Sequence, residues 1–242
     1  MPKRIIVKKD NLTLLKNKEN EYLKKIVNSM PIISGMICKF DVFGILYNLK
    51  QVIDNNVEGD IVELGCNVGT TSIFIKKFLD DYAPDRNYYV YDSWKGLPER
   101  HLKDGNNTTT FVKGSCQTNK ETFVKVFENF KLNLPIINDG FFADIPDEKY
   151  PQKICFAFFD GDLYTSIIDS FNKTFHKISK GGIIIIDDVG GIPLEKHELP
   201  GAEIAIKDFL KDKNLSYSYD GYADKNYNFG KALGGAKIVK DC

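Results

Sequence analysis

The chain has 242 residues, with 33 Lys and Arg against 33 Asp and Glu, 43% apolar residues and 27% charged ones. A zero net charge excludes a protein that works through many phosphate contacts, so no nucleic-acid partner is expected. No apolar run approaches the roughly 20 residues of a membrane helix, and the basic start from Met1 to Lys9 leads into no apolar core, so no membrane partner is expected either. Cys38, Cys66, Cys116, Cys155 and Cys242 are odd in number and show no C-x-x-C spacing. They argue against a disulfide framework or zinc site and for a reducing, cytoplasmic setting.

In chain order, residues 1–57 read as a helical extension or lid and residues 58–242 as one domain. The extension holds a weakly amphipathic stretch from Leu12 to Met30, then Pro31, then an apolar segment from Ile32 to Leu49. Apolar helix faces lying outside a sheet domain would serve a homo-oligomer, a dimer or larger. From Asp60 onward strands and helices alternate. Asp60–Leu64 is a short strand, and Thr70–Tyr82 a helix with Ile75, Phe78, Leu79 and Tyr82 on one face. Tyr88–Tyr91 is a strand ending at Asp92. Phe123, Phe127, Phe130 and Leu134 mark a helix, and Pro135–Ile137 a brief strand. Ile154–Phe159 is apolar throughout, as in a strand covered on both faces. Ile167, Ile168, Phe171, Phe175 and Ile178 mark the next helix, with Gly181-Gly182 as its cap, and Ile183–Ile186 is the fifth strand. A helix over Gly201–Leu210 and strands near Ser216–Tyr219 and Ala236–Val239 close the pattern. Repeated βα units predict a doubly wound α/β fold with a mostly parallel, Rossmann-like sheet.

In such sheets ligands bind at the carboxyl ends of the strands. The first strand runs into Gly65-Cys66-Asn67-Val68-Gly69-Thr70-Thr71, where the glycines permit a tight turn and the next helix offers unpaired N–H groups. The spacing is neither G-x-G-x-x-G nor a P-loop. Asp92, 27 residues past Gly65, stands where an acid would accept hydrogen bonds from a ribose diol. The fourth strand ends in Asp160-Gly161-Asp162 and the fifth in Asp187-Asp188. Carboxylates on adjacent strand ends repel one another unless protons or a cation neutralise them, and Mg²⁺ suits such an oxygen-rich site.

Glu63-Leu64-Gly65 with Gly69, Asp92-Ser93-Trp94-Lys95-Gly96-Leu97-Pro98, Asp139-Gly140-Phe141-Phe142, Asp160-Gly161-Asp162-Leu163-Tyr164 and Gly181-Gly182 before Asp187-Asp188 occur in that order. From Asp60 to Leu210 the chain resembles the macrocin O-methyltransferase (TylF/MycF-type) family, whose members methylate a sugar hydroxyl with S-adenosylmethionine (SAM) and Mg²⁺. The resemblance implies a class I methyltransferase sheet of seven strands with the last antiparallel. It places Gly65, Asn67, Gly69, Thr70 and Thr71 around the methionine part of the cofactor and Glu63 at its ammonium end. Asp92 and Ser93 fall at the ribose, Gly140, Phe141 and Phe142 beside the adenine, and Asp160, Asp187 and Asp188 on the metal. Catechol-type relatives use a Lys base three residues after their first metal ligand; here that residue is Leu163.

The activity expected is SAM-dependent methylation of a hydroxyl on a sugar, glycan or other polyol, with Asp160 first and His197 second as the base. A GT-A-like glycosyltransferase, using the Asp160-Gly161-Asp162 motif with a metal and a nucleotide-sugar, is the alternative. Phosphatase and dehydrogenase readings leave Asp187-Asp188 without a role, and a degenerate domain acting as an assembly module would have no need of the acids. The loops Leu97–Lys113 and Val189–Pro200 are long and polar, which favours a polar acceptor. Tyr217, Tyr219, Tyr222 and Tyr227 are candidates for stacking on a sugar ring. His101 reads as a loop residue and His176 as a helix-end residue.

Overall fold

A computed structural model describes residues 20–106, 109–190, 194–220 and 235–241, without the side chains of residues 195 and 220. The helices are α1 (Glu21–Ser29), α2 (Lys39–Asp54), α3 (Thr70–Tyr82), α4 (Lys120–Phe130), α5 (Tyr164–Thr174) and α6 (Pro200–Leu210). The strands are β1 (Asp60–Leu64), β2 (Tyr88–Asp92), β3 (Ile136–Asp139), β4 (Ile154–Phe159), β5 (Ile178–Ile186), β6 (Ser218–Asp220) and β7 (Gly235–Val239).

The strands form one seven-stranded sheet in the order β3-β2-β1-β4-β5-β7-β6. The pairings from β3 to β5 are parallel, and β7 is antiparallel to both of its neighbours. This is the class I methyltransferase arrangement. Strand order reverses between β1 and β4, so their carboxyl ends flank the crevice where such sheets bind ligands.

Both faces are covered, which is why β4 is buried at every position. On one face α1, α2, α3 and α4 bring Leu46, Phe74, Phe78 and Phe127 onto Ile61, Val90, Phe156 and Ile183. On the other, α5 and α6 bring Ile167, Phe171 and Ile206 onto Val62, Leu64, Phe159 and Ile184. The alternation of each strand sorts its side chains between the two layers.

Helix starts follow local chemistry. Asn119 caps α4 by accepting from the Thr122 N–H at 2.8 Å, and Pro200 occupies the first turn of α6, where a missing N–H is harmless. Gly69, at φ +88°, turns the chain into α3. Asp104 is buried and accepts from the backbone N–H groups of His101 and Tyr164, both at 2.7 Å, which ties the loop after β2 to the start of α5.

Several boundaries differ from the sequence reading. Gly181-Gly182 is not a helix cap. The helix ends at Thr174, and the glycines lie inside β5, where register against β4 slips between the Ile154–Ile178 and Phe156–Ile183 pairs. Gly181 has φ +79°, and a Cβ on Gly182 would stand 2.7 Å from the Ile178 side chain, so a bulge needs both glycines. Ile178, which fits a helical period, is therefore a strand residue. α4 stops four residues before Leu134, because Lys131 turns left-handed at φ 54°.

The Ile32–Leu49 segment is helical only from Lys39. In residues 20–57 the apolar residues of α1 and α2, among them Leu23, Ile26, Leu46 and Leu49, pack on this chain's own sheet layer. This part of the extension shares one core with the sheet.

Candidate active site

The loop after β1 and the end of β4 touch. Gly65, at φ +92°, comes so near the Asp160 carbonyl that a Cβ there would lie 1.9 Å from that oxygen. Beside this contact opens a cavity of about 460 Å³, the size of an ordinary small-molecule site. Gly65, Asn67, Asp92, Ser93, Phe141, Phe142, Asp160, Asp187, Asp188 and His197 all line it, although they come from six separate stretches of chain.

Asp92 is fixed by backbone donors. Its Oδ2 accepts from the N–H groups of Cys66 (3.0 Å) and Asn67 (2.8 Å), and its Oδ1 from that of Trp94 (2.8 Å). Four lone-pair positions less these three bonds leave capacity for a ligand hydroxyl. Asn67, at φ 45°, donates from Nδ2 to the Cys116 carbonyl at 2.7 Å, which pins the glycine loop to the loop after β2.

The acids gather as expected. One carboxylate oxygen from each of Asp160, Asp187 and Asp188 lies within 4.8 Å of the other two. Burial pushes the Asp160 carboxyl well above its ordinary range, with Asp187, Asp162 and Asp188 adding repulsion. Burial and then Asp188 do the same to Asp187. Asp188 is raised by burial and by Asp162, with which it shares a hydrogen bond, and burial raises Asp162 to about 6. Asp162 and Asp188 both hold left-handed backbones, at φ 58° and 59°. Such backbones recur at functional sites. This all-oxygen, mutually repelling donor set fits a hard divalent cation, which would replace protons in neutralising it.

Other candidates sit elsewhere. Glu63, Gly69, Thr70, Thr71 and Gly140 lie outside the cavity wall. Glu63 is buried under α3, where Oε2 accepts from the hydroxyls of Ser72 and Tyr88. Thr70 Oγ1 accepts from the Ser34 N–H at 3.1 Å and so holds the segment carrying Gly35 and Met36, which do line the cavity. His197 Nδ1 accepts from the Leu199 N–H at 3.0 Å. His197 lines the cavity, and with Nδ1 accepting, a neutral ring carries its proton on Nε2.

The hydroxyls of Tyr217 and Tyr219 bond to Glu203 on α6, at 3.0 and 2.7 Å, and both rings pack on the sheet layer rather than on the cavity. Tyr222 and Tyr227 lie outside the described residues. His101 stacks on Tyr164 with ring centroids 4.6 Å apart, away from the cavity.

The sequence reading missed two parts of the wall. The long loops are not simply polar: Leu97 and Leu199 form a buried cluster with Leu163, Phe111 packs against it, and Leu97, Phe111, Leu199 and Met36 face the cavity. Isolated apolar residues in polar loops carry no periodic signal, so only the fold brings them together. The second missed part is Thr165, Ser166 and Asp169 on α5; their i, i+4 and i, i+3 spacing was readable once the start of the helix was known.

Glu63 carries a stability prediction. Its Oε1 has no hydrogen bond among the described residues, and burial lifts its carboxyl from 4.5 to about 7, against the Ser72 and Tyr88 bonds that lower it. Between those values the unfolded chain has lost the proton and the folded one keeps it. Stability therefore falls as pH rises from about 4.5 to 7, by about 3 kcal/mol. Urea unfolding of Glu63→Gln against wild type at pH 5 and pH 8 should show the variant gaining relative stability at the higher pH. A difference independent of pH would mean that Glu63 folds already ionised.

Among the described residues no helix is long and apolar enough to cross a membrane. The model of the macrocin O-methyltransferase (TylF) family matches residues 9–219. Demethyldecarbamoylnovobiocin O-methyltransferase of Streptomyces niveus is 29% identical over 187 residues, covering 73% of this chain and 71% of that protein. A tetracenomycin-C rhamnosyl 4'-O-methyltransferase of Streptomyces olivaceus is 30% identical over 149 residues, covering 59% of this chain and 57% of that protein. The solved O-methyltransferase NovP shares the fold, with a TM-score of 0.69 at 23% identity over 86% of this chain and 82% of its own. The glycosyltransferase reading of Asp160-Gly161-Asp162 gives way to these matches. With the seven-stranded sheet, the strand-end cavity and a family match over most of its length, the chain belongs to the macrocin O-methyltransferase family of SAM-dependent methyltransferases.

Proposed function

We propose that the enzyme methylates a hydroxyl of a sugar or related polyol, assisted by a divalent cation, Mg²⁺, held by Asp160, Asp187 and Asp188. The observation that carries this reading is a single cavity that joins the Asp92 and glycine-loop end to three converging carboxylates. When bound, SAM supplies an electrophilic methyl group and the cation a charge that acidifies a hydroxyl.

The residues of the chain divide the remaining work. Asp92 holds the ribose hydroxyls, and Phe141 and Phe142 border the adenine. Asp160, between the cofactor loop and the acids, accepts the proton leaving the acceptor hydroxyl. Met36, Leu97, Phe111 and Leu199 exclude water from the acceptor end and strengthen every polar contact inside it. That apolar wall beside a carboxylate cluster suits a ring that offers neighbouring hydroxyls at one edge and an apolar substituent or face at the other. The four described cysteines are free, which suits work in the cytoplasm.

The test is calorimetric titration with S-adenosylhomocysteine, followed by methyl-transfer assays on sugar acceptors with Mg²⁺ or with EDTA. Binding of the nucleoside with transfer abolished by EDTA supports the reading. Transfer that survives EDTA removes the cation from it.

A further inference from the structure

Asp187 stands between two cavities. In front lies the active-site cavity, and behind lies a pocket of about 20 Å³ between α2 and the ends of β4, β5 and β7; Asp187 is the residue they share. Asp41, Gly44, Ile45 and Asn48 of α2 form the far wall of the pocket. Strand alternation explains the placement. Ile185 belongs to the layer under α2 and Ile186 to the layer under α5 and α6, so the next residue turns back to the α2 side.

Asp41 has a local task that needs no charge. In the first turn of α2 its Oδ2 accepts from the Cys38 N–H at 2.9 Å and closes the start of the helix. An amide or hydroxyl oxygen would accept that bond as well. A carboxylate instead brings a further negative charge to the acids, and Asp41 repels both Asp187 and Asp188. Among the described residues no basic side chain lines the pocket. Like charge behind Asp187 is unfavourable in the free protein and favourable once a cation sits in front, so the arrangement serves the cation and not the helix. The pocket takes one water, with a carboxylate on either side. A water there donates one hydrogen to each carboxylate, which turns the remaining lone pairs of Asp187 toward the active-site cavity.

We propose that Asp41 is a positioning residue for the divalent cation: acting from behind Asp187, by its charge and through one bridging water, it sets how tightly the three-acid site holds the ion. This inference rests on the cation reading of that site. It gives α2, in the stretch before the first strand, a share in the active site without contact with substrate, cofactor or ion. Outer partners that orient ligating groups change metal affinity by roughly ten- to hundredfold.

The experiment is titration of Mn²⁺ into protein saturated with S-adenosylhomocysteine, with free Mn²⁺ read by electron paramagnetic resonance. Mn²⁺ shares the preference of Mg²⁺ for six oxygen ligands. Asp41→Asn should bind Mn²⁺ about tenfold more weakly than wild type, with S-adenosylhomocysteine affinity unchanged within about twofold. Its metal-free thermal midpoint should stay level or rise, because the amide keeps the helix closed and relieves the repulsion. A residue that only closed the helix would move the midpoint and leave Mn²⁺ affinity alone. Asp41→Ser, which also keeps an acceptor for the Cys38 N–H, carries the test if Asp41→Asn does not fold. Asp54→Asn, at the other end of α2, removes the same charge far from the pocket and should leave Mn²⁺ affinity within about twofold of wild type. Unchanged Mn²⁺ affinity in the Asp41 variants, or an equal loss in Asp54→Asn, overturns the assignment while leaving the cation site intact. Failure of wild type to bind Mn²⁺ overturns the cation reading itself, and this inference with it.

Discussion

Asp187→Asn should lower methyl transfer at saturating Mg²⁺ by about 10³-fold, since removing one carboxylate from a three-acid site forfeits several kcal/mol of charge stabilisation. The same change should raise the thermal midpoint of the metal-free protein. Asp187 is half-buried beside Asp188, and its carboxyl is held above the ordinary range by burial and then by Asp188. An amide of the same shape keeps the packing and relieves the repulsion. S-adenosylhomocysteine should bind within about threefold of wild type, because Asp92 and the glycine loop are untouched. Loss of activity with gain of apo stability is the signature of an acid kept for its ligand rather than for the fold. Enzyme assays, differential scanning calorimetry without metal, and calorimetric titration read the three quantities. Wild-type turnover in the variant would remove Asp187 from the site.

Gly65→Ala should disable both stability and cofactor binding. The left-handed φ of +92° is unfavourable for alanine, and its methyl would overlap the Asp160 carbonyl. Separating the ends of β1 and β4 to admit it should cost about 3 kcal/mol, which for a chain of this size lowers the midpoint by roughly 6–12 °C. The Gly65 N–H bonds to the Tyr91 carbonyl at 2.9 Å and the Asp160 N–H to the Leu64 carbonyl at 2.8 Å, so the displacement would disturb the Asp92 end and the acid end together. S-adenosylhomocysteine affinity should fall at least tenfold. Gly35→Ala is the internal comparison: a Cβ there meets nothing within 4 Å, and its midpoint should stay within about 1–2 °C of wild type. Equal melting of wild type and Gly65→Ala would show that the two strand ends can separate freely.

What the sequence disclosed follows from how parallel sheets are made. A strand covered on both faces is an unbroken apolar run, and the polar residue that ends it lies at the ligand-binding edge. Ile154–Phe159 followed by Asp160, and Ile183–Ile186 followed by Asp187, were legible for that reason. So was Asp92 after Tyr88–Tyr91. Side-chain direction was not legible at Glu63, whose place in a recognisable motif suggested the ligand but whose carboxylate lies beneath α3. Tyr217 and Tyr219 are a similar case: their bonds to Glu203 emerge only when the helix bearing it is placed against them. The apolar wall of Met36, Leu97, Phe111 and Leu199 comes from three distant segments, so only the assembled fold makes it visible. Gly181-Gly182 carried the turn signal of a cap and of a bulge alike, and register with β4 alone decides between them.

The insertion of β7 between β5 and β6 bears on synthesis. Until residues 235–239 leave the ribosome, β5 has no partner on that side, and Ile183–Ile186 present an open row of backbone donors and acceptors along an uncharged, β-branched edge. Such an edge is a template for pairing between nascent chains. The strand that delivers Asp187 and Asp188 is thus covered on that side only once residues 235–239 have been made.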